Sequence, residues 1–287
     1  MTAPCSQRAG SFIKGEPKMQ KYKAILEHKA PESVLERRED TMYPAFQRYS
    51  YYSRTAQREA PVNVLLPSET EEGRRYPVLY ILHGYWCDEN WMSDPRVHIP
   101  EMLANLTAEG KAEPMIIVCP YIYCSKNMPR CTAMDYENSA AYDNFINDLK
   151  ADLMPFIESS LPVLTDREST AITGFSMGGR EALFIGLSMP ERFGYIGAVC
   201  PAPGLVRGTE DPFNLENEDL RFEHDAPKVL LLSAAEGDPV VRGCPELYHR
   251  LFTDNGTEHI WHHIHGTGHD ADSVIPHLYN FLRMIFR

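Results

Sequence analysis

The stretch Thr170-Ala-Ile-Thr-Gly-Phe-Ser-Met-Gly-Gly-Arg180 constrains this chain more than any other. Residues 170–173 read as a short strand and the run to Met189 as a helix, with Ser176 on the sharp turn between them. Gly174, Ser176 and Gly178 have the G-x-S-x-G spacing, which Gly179 extends. A serine thrust out on such a turn sits in strained backbone, where neighbours without a Cβ avoid clashing with it. The following helix aims its first N–H groups at the serine, where negative charge develops in acyl transfer. Five-residue spacings also match by chance, and a glycine-rich turn holding a buried serine is the structural alternative. The strand–turn–helix setting favours a catalytic serine. The rest of the chain must then supply a base, an orienting acid and oxyanion donors.

The bulk properties narrow the setting. A length of 287 residues suits one large α/β domain or two small ones. A formal charge of −12 argues against nucleic acid or an anionic membrane as partner, since both call for basic patches. No apolar run approaches the ~20 residues of a membrane span, and the opening residues show no apolar signal-peptide core. Seven cysteines, an odd and scattered set, do not form a disulfide framework. Cys124 and Cys131 flank one loop and could pair, but reduced thiols and a cytoplasmic address are the simpler expectation.

Residues 1–40 differ from the rest of the chain, with mixed charge, Pro4, Pro17 and Pro31, and no sustained hydrophobic period. They read as an N-terminal extension: a partly ordered tail, or an arm that packs on a neighbouring subunit in a homo-oligomer. Residues 41–287 read as one α/β domain. Residues 46–52 and 61–66 are strand-like and joined by a polar link at 53–59, as in an antiparallel hairpin. Residues 77–82 and 115–119 are nearly unbroken apolar strands, suited to a sheet covered on both faces. Residues 140–160 carry Phe145, Leu149, Leu153, Phe156 and Ile157 at helical spacing. Strands at 195–200, 228–233 and 259–264, separated by helical segments, and a closing helix at 275–286 complete the pattern. Such alternation predicts a mostly parallel sheet of about eight strands flanked by helices.

Catalytic groups in such sheets sit just beyond the C-terminal ends of strands. The strand ending at Ser233 runs into Glu236 and Asp238, and the last strand runs into His265 and His269. Ser176, Asp238 and His269 stand in the chain order serine, acid, histidine. His269 is preferred to His265 because it lies within a glycine-flanked loop past the strand. Asp238 is preferred to Glu236 because it lies deeper in its loop beside Pro239; Asp225 and Asp270 are the other carboxylates in play. The oxyanion donors are read as the N–H of Met177 and, from the loop after residues 77–82, the N–H of Tyr85. His83, beside Gly84, reads as a residue that shapes this loop. His259, His262, His263, His265 and His269 crowd together, but strand alternation splits them between two faces, and no metal or other cofactor is expected.

Together the motifs resemble the esterase D-like group of the α/β-hydrolases, and within it the bacterial feruloyl esterases of carbohydrate esterase family 1. The resemblance runs from about residue 43 to the end. It rests on Tyr51-Tyr-Ser53, Asn63-Val-Leu-Leu-Pro67, Tyr76-Pro-Val-Leu-Tyr-Ile-Leu-His-Gly84, Asp88-Glu-Asn-Trp91 and residues 174–190. Pro201-Ala-Pro203, Gly237-Asp238, Gly268-His269-Asp270 and Leu278-Tyr-Asn-Phe-Leu282 continue it. It implies an α/β-hydrolase fold with Ser176 as nucleophile, Asp238 as acid, His269 as base and the Met177 and Tyr85 amides as oxyanion donors. The implied substrate is a hydroxycinnamoyl or acetyl ester on a small molecule or plant oligosaccharide. Trp86, Trp91, Tyr121 and Tyr123 are the aromatic residues placed to hold a phenolic ring. The sequence departs from the family at Ala271-Asp272-Ser273, where feruloyl esterases often carry aromatic residues, and in the short acidic segment 204–227. A thioesterase such as S-formylglutathione hydrolase, a siderophore esterase and a non-catalytic binding protein are the competing readings.

Overall fold

Two apolar runs, Val78–Leu82 (β3) and Thr170–Gly174 (β5), pair in parallel and are buried at every position. The computed structural model describes residues 19–208 and 215–287. Among them, Gln47–Ser53 (β1), Arg58–Leu65 (β2), Ile116–Pro120 (β4), Tyr195–Val199 (β6), Val229–Ala235 (β7) and Ile260–Ile264 (β8) complete one eight-stranded sheet. The strand order is β1-β2-β4-β3-β5-β6-β7-β8. β1 and β2 are antiparallel to their neighbours, and the strands from β4 to β8 run parallel. This is the α/β-hydrolase arrangement read from the sequence. After β4 the chain crosses β3 to form β5 on its other side. That switch opens a crevice beyond the carboxyl ends of β3 and β5, where ligands bind in open α/β sheets.

Ten α-helices connect or flank the strands among the described residues. Gln20–Lys23 (α1) and Glu32–Leu35 (α2) precede the sheet; Glu89–Ser93 (α3) and Ile99–Ala108 (α4) follow β3. Tyr136–Asp143 (α5), Phe145–Asp148 (α6) and Met154–Ser160 (α7) lead to β5. Met177–Ser188 (α8), Cys244–Asp254 (α9) and Ala271–Met284 (α10) follow β5, β7 and β8. Ile196 packs under Gly186 of α8, while its neighbour Gly197 packs under His277 of α10, so these helices cover opposite faces of the sheet. His277 is buried, with one ring nitrogen 2.8 Å from Thr173 Oγ1 and the other 2.8 Å from Ser233 Oγ. It ties α10 to β5 and β7, and burial lowers its pKa to about 3.

Three local features differ from the sequence reading. The hairpin closes on residues 54–57, because β2 begins at Arg58 and pairs Arg58 with Ser53. The expected single helix over 140–160 is broken by a π turn at Leu149–Leu153. Pro155 has no N–H to give to Ala151, and the Arg54 guanidinium takes that carbonyl instead. The buried face of Phe145, Leu149, Leu153 and Ile157 is kept through the break. The last helix begins at Ala271 rather than 275, because the Asp270 side chain accepts from the Asp272 amide and caps it.

The extension reads differently in three dimensions. Residues 1–18 lie outside the described residues, as do residues 209–214 of the acidic segment 204–227. From residue 19 onward the extension packs on its own chain. Met19, Tyr22 and Val34 are buried in the core. Asn280 of α10 accepts from the Glu27 amide at 2.9 Å and donates to the Glu27 carbonyl at 2.7 Å. Asn105 of α4 donates to the carbonyls of Val34 and Glu36 and accepts from the Tyr43 hydroxyl. These side chains stand in for secondary structure that the strap itself lacks. Asn280→Ala strands both backbone groups of Glu27, and we expect a loss of about 1–3 kcal/mol in urea unfolding. A truncation lacking residues 1–40 should lose more than this single substitution, since it also removes Tyr22 and Val34 from the core.

Candidate active site

β5 ends at Gly174 and α8 starts at Met177, so Phe175 and Ser176 make the whole turn. Ser176 takes φ 57° and ψ −117°, a conformation that costs an L-residue of order 1–3 kcal/mol and needs support. Its backbone is bound on all sides. The amide donates to the Val199 carbonyl at 3.0 Å, and its own carbonyl accepts from Ala202 at 2.9 Å and Arg180 at 3.0 Å. The Phe175 amide donates to the Leu82 carbonyl at 3.1 Å. The glycines are required for a reason the sequence does not show. A Cβ on Gly178 would stand 2.3 Å from the Leu82 carbonyl oxygen and 2.5 Å from that of His83. One on Gly174 would stand 2.3 Å from the Gly178 carbonyl oxygen. The clashes avoided are those of α8 with the ends of β3 and β5, rather than with the serine itself.

The loops after β7 and β8 bring Asp238 and His269 to this turn. His269 Nε2 lies 2.8 Å from Ser176 Oγ, and His269 Nδ1 lies 2.7 Å from Asp238 Oδ2. With Nδ1–H donating to the carboxylate, Nε2 is left to accept from the serine hydroxyl. The other oxygen of Asp238 accepts from the amides of Val240 at 2.8 Å and Val241 at 3.2 Å. Burial opposes the charge on Asp238, but the bonds from His269, Val240 and Val241 outweigh it and hold its pKa below the ordinary value. The rival carboxylates are engaged elsewhere: Glu236 with His265 at 3.2 Å on the surface, Asp225 with His224, and Asp270 as the cap of α10. His265 is thereby separated from the serine as well.

The donors proposed for an oxyanion hole lie at the same point. Among the described residues nothing accepts a hydrogen bond from the Met177 or Tyr85 amide. Gly84 brings the loop so close that a Cβ there would stand 3.3 Å from Ser176 Cβ. His83 is buried, accepts from the Ile122 amide at 3.1 Å through Nε2 and contacts the Gly84 carbonyl at 2.8 Å through Nδ1. Burial lowers its pKa to about 4, so it is a neutral strut for the loop. Tyr142 of α5 supports the loop from the other side: its ring lies 4.8 Å from that of Tyr85, and its hydroxyl accepts from the Trp86 amide at 3.3 Å.

A cleft of about 240 Å³ opens at Ser176 and His269, walled by Tyr85, Trp91, Phe175 and Ala271. Trp91 stacks on Phe175 at 4.9 Å and 7°, and Phe175 packs against His269 at 4.5 Å. Phe175 and the Asp94–Arg96 pair at the cleft mouth are additions to the sequence reading. Phe175 occupies a free position of the G-x-S-x-G spacing, which carries no signal of where its ring goes. The four aromatic residues expected in one substrate pocket do not share one. Trp91 alone lines this cleft. Trp86, which has a left-handed backbone, lines a second hollow of about 460 Å³ with Tyr121 and Tyr123 from the loop after β4. Tyr123 is buried, with its hydroxyl donating to Asn138 at 2.8 Å.

The clustered histidines diverge as strand alternation requires. His259 pairs with His249 at 2.7 Å, His265 with Glu236, and His262 is buried with neither ring nitrogen bonded. Cys200, Asp238 and His269 are the one set of three ligand-type side chains that converges among the described residues, with ligand atoms within 4.8 Å of one another. Two of them are committed to the bond between them, and burial raises the Cys200 thiol to about 12. Cys124 and Cys131 both carry free thiols.

The lowered pKa of Asp238 has a stability consequence of definite sign. A carboxyl more acidic folded than unfolded contributes stability above its unfolded pKa, about 3.9. That contribution fades as pH falls through the folded value. Urea midpoints measured below about pH 4 should therefore fall less steeply for Asp238→Asn than for the wild type.

The sequence matches the family described as "Putative esterase" over residues 53–242. The structure superposes on a CE1 ferulic acid esterase from Anaeromyces mucronatus, solved with ferulic acid, with a TM-score of 0.86 and 35% identity. That match covers 91% of this chain and 97% of the other. An endo-1,4-beta-xylanase/feruloyl esterase from Xylanibacter ruminicola is 29% identical over 185 residues, 61% of this chain. The chain spans only 24% of that relative's length. The enterobactin esterase of Shigella flexneri, at 18% identity, 89% of this chain, 60% of the other and a TM-score of 0.64, shares the fold. The chain belongs to this esterase family of the α/β-hydrolases, on the branch that holds the CE1 ferulic acid esterases.

Proposed function

We propose that the chain is a serine carboxylesterase that hydrolyses feruloyl-type esters of plant carbohydrate through an acyl-enzyme. The observation that carries this reading is the position of His269, hydrogen-bonded to Ser176 through one nitrogen and to Asp238 through the other. Residues 41–287 form the catalytic unit, with residues 19–40 strapped to it.

In the proposed reaction Ser176 Oγ attacks the ester carbonyl carbon while His269 Nε2 takes the hydroxyl proton. Asp238 stabilises the imidazolium and keeps Nε2 facing the serine. The carbonyl oxygen becomes an oxyanion and is met by the free amides of Met177 and Tyr85, which are already in place before reaction. Collapse breaks the ester C–O bond, and His269 returns its proton to the departing alcohol. Water, deprotonated by the same histidine, then releases the acid and restores Ser176.

The feruloyl preference is supported by the ferulic acid esterases among the relatives and by the flat aromatic wall beside the serine. A planar phenolic acyl group can lie against Trp91 and Phe175, and Ala271 leaves that side open. Ser176→Ala should abolish hydrolysis and stoichiometric labelling by a fluorophosphonate while leaving the fold intact; labelling that persists would remove the serine assignment. Asp238→Asn should lower kcat by roughly 10²–10⁴ with KM little changed, and Glu236→Gln should change neither.

Two aromatic contacts of ~0.5–1.5 kcal/mol each should favour methyl ferulate over methyl acetate by roughly 5- to 150-fold in kcat/KM. Trp91→Ala should reduce that ratio. No turnover of methyl ferulate by the wild type would leave a serine esterase of another specificity.

A further inference from the structure

The second hollow lies across the 84–87 loop from the serine cleft, and Cys87 belongs to the walls of both. The loop that separates them also carries the Tyr85 amide. Trp86 stands on its crest with φ 65°, a left-handed backbone that bulky residues rarely adopt. The residue is 56% exposed, and its ring is held edge-on to Tyr85 at 5.7 Å. A strained backbone that holds a large apolar ring out in water stands out against a fold that buries most of its large rings. Tyr121 and the buried Tyr123 line the same hollow, with Tyr121 stacked on His83 at 5.6 Å.

The polar groups around the hollow restrict what could cover Trp86. Arg58 is spent on the wall, since its guanidinium donates to the carbonyls of Ser125 at 2.6 Å and Met128 at 2.9 Å. The rim carries Glu59 and Asp88 as acceptors and Arg130 as donor, all exposed. Two carboxylates disfavour an anionic occupant, and a lipid chain would leave the rim unpaired. A sugar ring meets both demands, with C–H faces for the aromatic rings and hydroxyls for the mixed rim.

We propose that this hollow holds the sugar on the alcohol side of the ester, a neutral pentose or short oligosaccharide stacked on Trp86. The acyl group lies in the Trp91 cleft, and the scissile bond lies between them at Ser176. This assignment rests on the esterase reading and adds a place for the leaving group. It makes Trp86 a determinant of alcohol specificity rather than of acyl specificity.

The test compares kcat/KM for a feruloylated arabinose and for methyl ferulate, which share the acyl group and differ only in the alcohol. In the wild type the sugar ester should be preferred. Trp86→Ala should lower the ratio of sugar ester to methyl ester by roughly 3- to 10-fold, and Trp86→Phe, which keeps a ring, should restore most of it. An unchanged ratio in Trp86→Ala, including one that arises because both esters lose equally, would overturn the proposal. Binding of unesterified arabinoxylan oligosaccharide to Ser176→Ala, followed by isothermal titration calorimetry, separates this failure from that of the feruloyl reading. Saturable binding heat that a further Trp86→Ala substitution abolishes supports the sugar site even if no ferulate ester is cleaved. No binding by Ser176→Ala would overturn it.

Discussion

The carbonyl oxygens of Leu82 and His83 lie where a Cβ of residue 178 would stand, at 2.3 and 2.5 Å from it. That contact between the end of β3 and the first turn of α8 makes the site what it is. It sets the helix directly against the central strand; at the turn before it Ser176 takes φ 57°, and the Met177 amide has no protein acceptor among the described residues. Gly84 brings the next loop against the serine from the other side. The cost of the turn is local, and it is offset by the backbone hydrogen bonds that Phe175 and Ser176 make, three to β3, β6 and its flank and one to Arg180 of α8.

The serine turn and the loop with the Tyr85 amide share one support. Asp143 of α5 pairs with the buried Arg180 of α8, which also bonds Glu181 at 2.8 Å and the Pro203 carbonyl. Tyr142, the residue before Asp143, packs on Tyr85 and accepts from the Trp86 amide. One short helix therefore grips both the serine helix and the 84–87 loop. A buried ion set gains little net stability over apolar packing, but breaking one partner is expensive, which suits a joint whose geometry must not drift. His83 does the same work from β3 with a neutral ring bonded on both nitrogens.

The two hollows give the loop between them a second meaning. Its inner side carries the Tyr85 amide, the proposed oxyanion donor, and its crest presents Trp86 to solvent. A substrate spanning both would press on the loop that carries this proposed donor. Binding energy from the alcohol side could then be expressed at the reacting centre, as differential binding requires. The strap of residues 19–40 forms no part of the lining of either hollow. It lies on α4 and α10, where Asn105 and Asn280 satisfy its backbone.

What the sequence determined by itself were features encoded over a few neighbouring residues. The G-x-S-x-G turn, the apolar runs of the central strands and the chain order Ser176, Asp238, His269 were all legible, because spacing and periodicity are local properties. Tertiary structure decided what depends on distant partners. Asp238 rather than Glu236 reaches His269 because its loop folds under the Val240 and Val241 amides, while Glu236 turns outward to His265. The extension joined the core through Asn105 and Asn280, isolated polar residues that no hydrophobic period reveals. The aromatic residues divided between two hollows because Trp86 has a left-handed backbone and Phe175 rises between Trp91 and His269. A ring's direction is set by backbone angles and by the packing of residues far away in the chain, and neither is written in residue type or spacing.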